Sequence, residues 1–547
     1  MLDGEADPGA AASVAAPVPP RDARFLADIT ADANDLERQG WAVVTTADAR
    51  GARLEALVRR LAAARAEDQR APVLTIRVPP GLDAERALAW KKSAYPAAYG
   101  DDEARRPRYL LVLGDLDQVS QATQQVLAQD GIAGRLACAT DDGYAAYADK
   151  VLAWQRTPSP APRARALFYT VHDGTRASAE GHAKLIEPCR ERCARTAADK
   201  PRAFPAAVEA HGAASPEPDE LRRLAAIAQP SVLLSMSHGL GPPRRRRWSP
   251  AEARAHQGDM SFGLEGALTA DDLRAQPFLP GGLWIYFACF GAGTPQLSAY
   301  RHWLEMLAAH GMDTGPVVHA LRGLDDGGGF VSGLGKAALA HPEGPLALLG
   351  HIDLAWSYSY EELHVTGEGD ARRITGSNRS LNFFHAMSKL VAGERVGAAA
   401  LTLRMQLDAV GAALTTHYDR CKRDGSIEGA TPEDRLALGN LWMLHQDLLG
   451  YALLGDPAVR LPLGRSEPPR PAPRAPDGAS AAPADEQAIN VLEQAALAIA
   501  GGESPGVVAA RAGLSRSELI DATRIYREAG RAALAALLGR AHDKGSR

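Results

Sequence analysis

Gly281 to Pro295 reads GGLWIYFACFGAGTP. Five consecutive apolar residues, Leu283, Trp284, Ile285, Tyr286 and Phe287, follow a Gly-Gly pair and stop at Ala288-Cys289, after which the chain turns glycine-rich. A run so short and continuous, bracketed by glycine, predicts a fully buried strand of a parallel sheet. In open α/β sheets ligands bind beyond the carboxyl ends of the strands, so Cys289 stands where chemistry is expected. Ser231 to Gly241, SVLLSMSHGLG, has the same shape and ends at His238-Gly239. If the two strands are neighbours, one rim carries an imidazole and a thiol.

That pair suits attack on an amide. A thiol reacts as thiolate, so it needs a nearby imidazole or an electropositive setting. His238 would act as the base and then protonate the leaving amine. The oxyanion needs preorganised donors, and the main-chain amides of Gly239 and Cys289 are the candidates. A glycine after the histidine lets the backbone approach a substrate closely. A cysteine after an apolar run is most often only a small buried hydrophobe. What sets Cys289 apart is the second strand of the same form, ending in His-Gly.

The order of apolar strand, His-Gly, spacer, apolar strand and Ala-Cys resembles the caspase-fold cysteine peptidases, which include caspases, gingipains, separase and the CHAT proteins. The likeness is greatest to the gingipain-like branch. Arg108 to Leu116, RYLLVLGDL, resembles that branch's strand ending in Gly-Asp, here Gly114-Asp115. Ala133-Gly134-Arg135-Leu136 resembles its Gly-Arg strand, with Ala146 to Gln155 as the helix after it. Leu354-Ala355-Trp356-Ser357 resembles the segment whose tryptophan walls the specificity pocket, and Leu454 to Leu461, LGDPAVRL, resembles the Gly-Asp-Pro closing strand. These pieces span residues 35 to 463 in order. The resemblance implies two α/β subdomains with mostly parallel sheets flanked by helices, and a cysteine endopeptidase with a His238/Cys289 dyad. It also implies that Trp356 walls the pocket for the side chain before the cut; Ser357 and Asp353 beside it are further candidates, and Asp353 could select a basic side chain although the nearest gingipain position is not acidic, against the alternatives of a core aromatic and a surface carboxylate. Asp115 is a further candidate contact, against the commoner role of a loop or N-cap carboxylate.

Composition agrees with a multidomain enzyme. The chain has 547 residues, 46% of them apolar, and a formal charge of −5. The length suggests about two to four folding units, and the near-balanced charge gives no sign of a nucleic-acid or membrane coat. No apolar stretch approaches the roughly eighteen residues of a membrane-spanning helix. The first residues, MLDGEADPGAAASVAAPVPP, carry acids where a secretory signal carries bases, so the expected location is cytoplasmic. Cys138, Cys189, Cys193, Cys289 and Cys421 are an odd number at no framework spacing. Free thiols are expected rather than a disulfide scaffold. Cys189 and Cys193 lie four apart, on one helix face, and lack two further ligands for a metal. With no phosphate loop and no complete metal set, no cofactor is expected.

Taken in order, residues 1–22 read as disordered, and 23–157 as a first α/β subdomain in which strands and helices alternate. Residues 158–464 form the catalytic α/β subdomain. Within it, Arg244 to Arg247 is a solvated run, a cleavable loop or a dock for an acidic partner. Pro295 to His310 is expected as a helix and Val317 to Leu321 as a strand. Residues 465–486 are a Pro/Ala linker, and 487–547 a small helical domain. There Val507 to Leu519 resembles a helix-turn-helix, with Ser515 and Glu518 as a capping box; in a DNA-binding module Arg516 and Arg524 would face phosphate or base edges. The tail lacks the basic excess of DNA-binding modules, so a protein partner is favoured over DNA. An inactive peptidase-like scaffold and a DNA-linked regulator are the alternatives to the protease.

Overall fold

The computed structural model describes residues 32–464 apart from 101–102, 213–216, 244–245, 310–316, 319–320, 322–327, 367–372, 405 and 424–431, together with single positions between 491 and 519. The expected disordered start, the Pro/Ala linker, Arg244, Arg245, Arg516, Glu518 and Arg524 lie outside the described residues. The chain divides into two units, 1–465 and 466–547.

The apolar runs become strands because each residue of such a run loses its surface to a helix on one face or the other. In chain order the strands are β1 (Trp41–Thr46), β2 (Leu74–Val78), β3 (Tyr109–Leu113), β4 (Ile132–Leu136), β5 (Ala164–Thr170), β6 (Ala206–His211), β7 (Ser231–Met236), β8 (His238–Gly239), β9 (Met260–Ser261), β10 (Ala267–Leu268), β11 (Leu283–Phe287), β12 (Gly293–Thr294), β13 (Phe330–Val331), β14 (Ala347–His351), β15 (Glu361–Thr366), β16 (Arg373–Asn378) and β17 (Tyr451–Gly455). Strand β3 shows the two-sided burial: Tyr109, Leu111 and Leu113 enter one apolar core, Leu110 and Val112 another. Such double cover is what makes a parallel strand read as a continuous apolar run.

Ten of these strands form one sheet, ordered β2-β1-β3-β4-β17-β14-β11-β7-β5-β6. Thus the two α/β halves are two wings of a single sheet. All neighbours are parallel except β14 and β17. The wings therefore run in opposite directions, and β17, the last strand in sequence, is the seam. Gly134 shows how closely the chains meet there, since a methyl group on it would lie 2.4 Å from the Gly455 carbonyl oxygen.

A buried polar network locks the seam. Asp456, with no exposed surface, accepts from Trp41 Nε1 (2.9 Å), from Arg65 Nε (2.9 Å) and from the Ala458 amide (2.9 Å). Its own amide donates to Tyr147 Oη (2.6 Å), which in turn donates to the Leu346 carbonyl (2.8 Å). The Asp456 side chain thus ties β1 and the helix Arg59–Gln69 to the end of β17, and its amide, through Tyr147, ties in the helix Asp141–Arg156 and Leu346 just before β14. Arg135, also fully buried, donates to Gln124 Oε1 and to the carbonyls of Gly114, Asp115 and Val119 at 2.7–3.0 Å. This explains the arginine in the Gly-Arg strand: it holds the loop after β3.

Several local expectations change. Residues 53–66 fall in two helices, Ala49–Leu57 and Arg59–Gln69, which meet at Val58. The helix expected from Pro295 begins at Arg301, and Val317, Val318 and Leu321 are helical, not strand. Short apolar runs carry no period of their own, and Val318 and Leu321 pack in one cluster with Phe290, Tyr300 and Leu304. Cys189 and Cys193 are buried on the helix Glu187–Asp199. In the second unit the helix Pro505–Ala512 is followed by Gly513 at φ +66° and by a turn in which the Leu519 amide donates to the Ser515 carbonyl (3.0 Å). Ala495, Val508, Ala509 and Leu519 pack together. No described helix is long and apolar enough to cross a membrane.

Removing Asp456 leaves the buried Arg65 guanidinium with Asp68 (2.6 Å) as its one remaining acid and strips the Trp41 indole and the Ala458 amide of their acceptor. Asp456→Ala is expected to cost roughly 3–5 kcal/mol, and Asp456→Asn less. Denaturant unfolding followed by tryptophan fluorescence checks this, and a loss below about 1 kcal/mol would show that the seam does not depend on the network.

Candidate active site

The site is built on the ends of four consecutive strands, β14, β11, β7 and β5. Strand β7 pairs with β11 in parallel, Phe287 opposite Met236. Carried two residues further, that register aligns His238 with Cys289. The main chains stay adjacent there: the Ser237 amide donates to the Phe287 carbonyl (3.3 Å), and a methyl group on Gly239 would sit 1.8 Å from the Cys289 carbonyl oxygen. Glycine is required at 239 because another backbone occupies the place of its side chain.

Behind His238 stands a group that the sequence reading missed. After β5 the chain reads His172-Asp173-Gly174-Thr175. Thr175 Oγ1 and Ser178 Oγ both donate to Asp173 Oδ1 at 2.8 Å. His238 Nε2 lies 3.0 Å from Thr175 Oγ1 and 3.6 Å from Asp173 Oδ2. Since the threonine hydroxyl spends its proton on Asp173, it accepts from the ring, and the network assigns the hydrogen to Nε2 and the free lone pair to Nδ1. Burial pulls the Asp173 carboxyl upward, but hydrogen bonds from Ser178 and Thr175 and the nearby imidazole hold it below its ordinary value. The signal was present: a third apolar strand ending in a polar, glycine-containing turn.

Cys289 keeps partial exposure and lies against Ala355. The Ala355 amide donates to Sγ (3.4 Å) and the thiol donates to the Ala355 carbonyl (3.7 Å). Among the described residues no hydrogen bond joins the thiol to His238. Burial pushes the thiol up to about 11, the Ala355 amide opposes this, and the charges of Asp353 and Asp447 add to the rise. Immediately after it the chain reverses at Phe290, whose φ is +58°, and Asp353 opposite has φ +92°. The two are joined by a hydrogen bond from the Phe290 amide to the Asp353 carbonyl (2.8 Å). Left-handed backbone at non-glycine residues costs about 1–3 kcal/mol and persists only where its surroundings enforce it.

The expected pocket residues divide. Trp356 and Cys289 pack on one apolar cluster with Tyr300, Leu354, Trp303, Tyr358 and Trp442. The Trp356 ring lies 5.7 Å from that of Tyr300, and its Nε1 is buried without a partner among the described residues. Ser357 is half-buried beside it. Asp447, fully buried and unremarked in the sequence, accepts from the Trp356 amide (2.9 Å), the Ser359 amide (2.7 Å) and Ser359 Oγ (2.9 Å), and so fixes this turn.

Asp353 and Asp115 require correction. Asp353 is buried, and its oxygens accept from Ser298 Oγ (2.8 Å), the Ala299 amide (3.0 Å) and the Leu354 amide (2.8 Å). It holds two loops together, and its burial turns its oxygens toward these donors rather than toward a substrate. Asp115 accepts from the Val331 amide (2.6 Å), the Leu116 amide (2.8 Å) and Lys336 Nζ (2.5 Å). Strand β3 also runs opposite to β7 and β11, so the rule that put Asp115 at a ligand-binding rim names a different edge of the sheet.

Among the described residues no group of three or more His, Cys, Asp or Glu stands where a metal ion would be held. No family model and no curated protein matches the chain. Three solved structures are similar to it at low identity. One titled "Structure of Protease" shares 12% identity over 77% of this chain and 78% of its own, with a TM-score of 0.43. The Arg-specific cysteine proteinase gingipain R shares 10% over 78% of each chain, with a TM-score of 0.42. A complex of Porphyromonas gingivalis RgpB pro- and mature domains shares 10% over 77% of this chain and 80% of that one, also with a TM-score of 0.42.

Two measurements probe the site's electrostatics. Alkylation of Cys289 by iodoacetamide, followed by peptide-resolved mass spectrometry, is expected to be slow at neutral pH and to climb about tenfold per pH unit toward about 11; a plateau near pH 7 would contradict the burial. Asp259, in the insert between His238 and Cys289, is fully buried, with Oδ1 unpartnered and Oδ2 3.3 Å from His256 Nδ1. Burial, then the charges of Asp272 and Asp271, raise its carboxyl from 3.8 to about 8, against a lowering by Arg274. The folded state therefore holds a proton that the unfolded chain has released. The resulting stability is full below 3.8 and is lost as pH rises through about 8. Asp259→Asn should gain roughly 1–3 kcal/mol over wild type between pH 6 and 9, read from denaturation midpoints; parallel pH curves would refute the buried proton.

Proposed function

We propose that the chain is a cysteine endopeptidase. Cys289 is the nucleophile, His238 the general base and acid, and Asp173 with Thr175 the group that orients the imidazole. The reading is supported above all by the β7–β11 register, whose last pair is Phe287 and Met236 and which, carried two residues further, sets His238 beside Cys289, while Asp173 and Thr175 lie at the far ring nitrogen.

The chemistry follows from that arrangement. Nδ1 of His238 takes the thiol proton as Sγ bonds to the scissile carbonyl carbon. The oxyanion needs main-chain donors, and those of Gly239 and Cys289 are assigned that role in this reading. The C–N bond then breaks, the imidazolium gives its proton to the departing amine, and a thioester remains. Water attacks that thioester, His238 takes the water's proton, the C–S bond breaks, and the thiolate is reprotonated. Asp173 stabilises the imidazolium that forms in each half. The walls on the acyl side are aromatic, Trp356 and Tyr300 among them, and the nearby acids are already engaged by amides and hydroxyls. An uncharged side chain before the cut is therefore favoured over a basic one.

A second reading, a peptidase-like scaffold without chemistry, is favoured by the resting thiol, whose hydrogen bonds both go to Ala355. In the first reading substrate displaces that contact. Residues 487–547 are then a partner-binding appendage, with DNA as the weaker alternative.

Peptide-library profiling of the full chain separates these readings. Cys289→Ala and His238→Ala are expected to lower cleavage by at least about a thousandfold, with the fold intact by circular dichroism. Asp173→Asn should lower kcat roughly a hundredfold with KM little changed. Cleavage that survives Cys289→Ala would refute the nucleophile, and a wild type that cleaves nothing would leave the scaffold.

A further inference from the structure

We propose that the turn Gly263–Glu265 forms the subsite for the part of the substrate that leaves, and that Leu264 selects an apolar residue directly after the cut bond. The inference rests on the peptidase reading and extends it to the other half of the substrate.

Strand order supplies the direction. Along the rim β14, β11, β7 and β5 follow one another, so Trp356, Cys289, His238 and Asp173 are met in that sequence. The acyl carbon bonds to Cys289, whereas the amine nitrogen must lie within reach of His238, which protonates it as the C–N bond breaks. Residues before the cut therefore extend toward β14, and residues after it toward β5.

On the β5 side, β9 pairs antiparallel with β8, with Ser261 opposite His238. The chain passes through Phe262, makes the turn and returns as β10, with Ala267 opposite Ser261. A methyl group on Gly263 would lie 3.1 Å from Asp173 Cβ, so the turn stands beside the carboxylate that supports His238. It is firmly tied. Phe262 is buried, with its ring 6.1 Å from that of Tyr169; its amide donates to the Gly266 carbonyl (2.8 Å), and the Gly263 amide donates to Ser261 Oγ (3.3 Å). Gly263 and Gly266 take φ of +66° and +102°, which close the turn.

This rigid turn holds out Leu264, 103% exposed, further than any other large apolar residue described. An isolated surface leucine ordinarily means nothing. One displayed on an anchored turn beside the imidazole supplies contact area without an ordering cost when a substrate arrives. Glu265, also exposed on the turn, disfavours an acidic residue at the same substrate position.

The test uses two internally quenched peptides with the same acyl-side sequence, one with Leu and one with Gly after the cut, assayed on the full chain. Wild type is expected to prefer the Leu peptide in kcat/KM, Leu264→Ser to lower that Leu/Gly ratio by about tenfold, and Leu264→Met to restore it. An unchanged ratio overturns the subsite while leaving the peptidase intact. Should wild type cleave neither peptide, the peptidase reading fails, and binding decides the subsite separately. Calorimetric titration of Cys289→Ala with the tetrapeptide Leu-Gly-Ser-Gly amide should then show binding that is lost in Cys289→Ala/Leu264→Ser. Equal affinity, or no binding to the first variant, overturns it.

Discussion

The structure depends on the antiparallel contact between β14 and β17. Every other pairing in the ten-stranded sheet is parallel, so this one reversal decides which strand ends share an edge. Asp456, just past β17, fixes the reversal in place by accepting from β1 and from the helix Arg59–Gln69 while its amide is held by Tyr147. A buried carboxylate with this many donors is costly to leave unpaired, and that cost gives the seam its specificity. The two wings are not separate bodies carrying separate cores. The larger apolar cluster contains residues of both, Trp41 and Leu111 from one and Leu283 and Leu348 from the other.

On the wing that carries the site, strand ends do what loops alone could not. Backbone in a parallel sheet is held by neighbours on both sides, so side chains just past its end inherit that rigidity. Asp173, His238, Cys289 and Ala355 each follow a different strand within a few residues. The tight reversal at Phe290 and the left-handed Asp353 turn the chain sharply where the thiol emerges, and the hydrogen bond between them shows that the surroundings enforce both.

Electrostatics around the thiol are set by burial. Asp353 and Asp447 lie close enough to raise its pKa, yet both are consumed in holding backbone turns. Acids serve here as internal staples, because a buried carboxylate that accepts several amide hydrogens is stable only while those donors stay in place. In the proposed reading a substrate meets an aromatic wall on one side and the Leu264 turn on the other.

Much of this was legible in the sequence, and the limits are physical. Apolar runs such as Leu283 to Phe287 carry their own burial, so the parallel sheet and the candidate pair His238 and Cys289 could be read directly. The Gly-Arg and Gly-Asp-Pro segments were legible as a resemblance, and the structure shows Gly134 and Gly455 meeting at a close approach between them. Periodicity could not decide Val317, Val318 and Leu321, which are helical and pack with Phe290, Tyr300 and Leu304. Nor could sequence tell an acid that faces a ligand from one that faces backbone amides. Asp353 and Asp115 have the same chemistry as Asp173, and only the direction of each strand and the donors gathered around each carboxylate separate them. Local sequence determined which segments are buried; tertiary structure decided which strand ends meet, because pairing direction across the seam is a property of contacts between residues far apart in the chain.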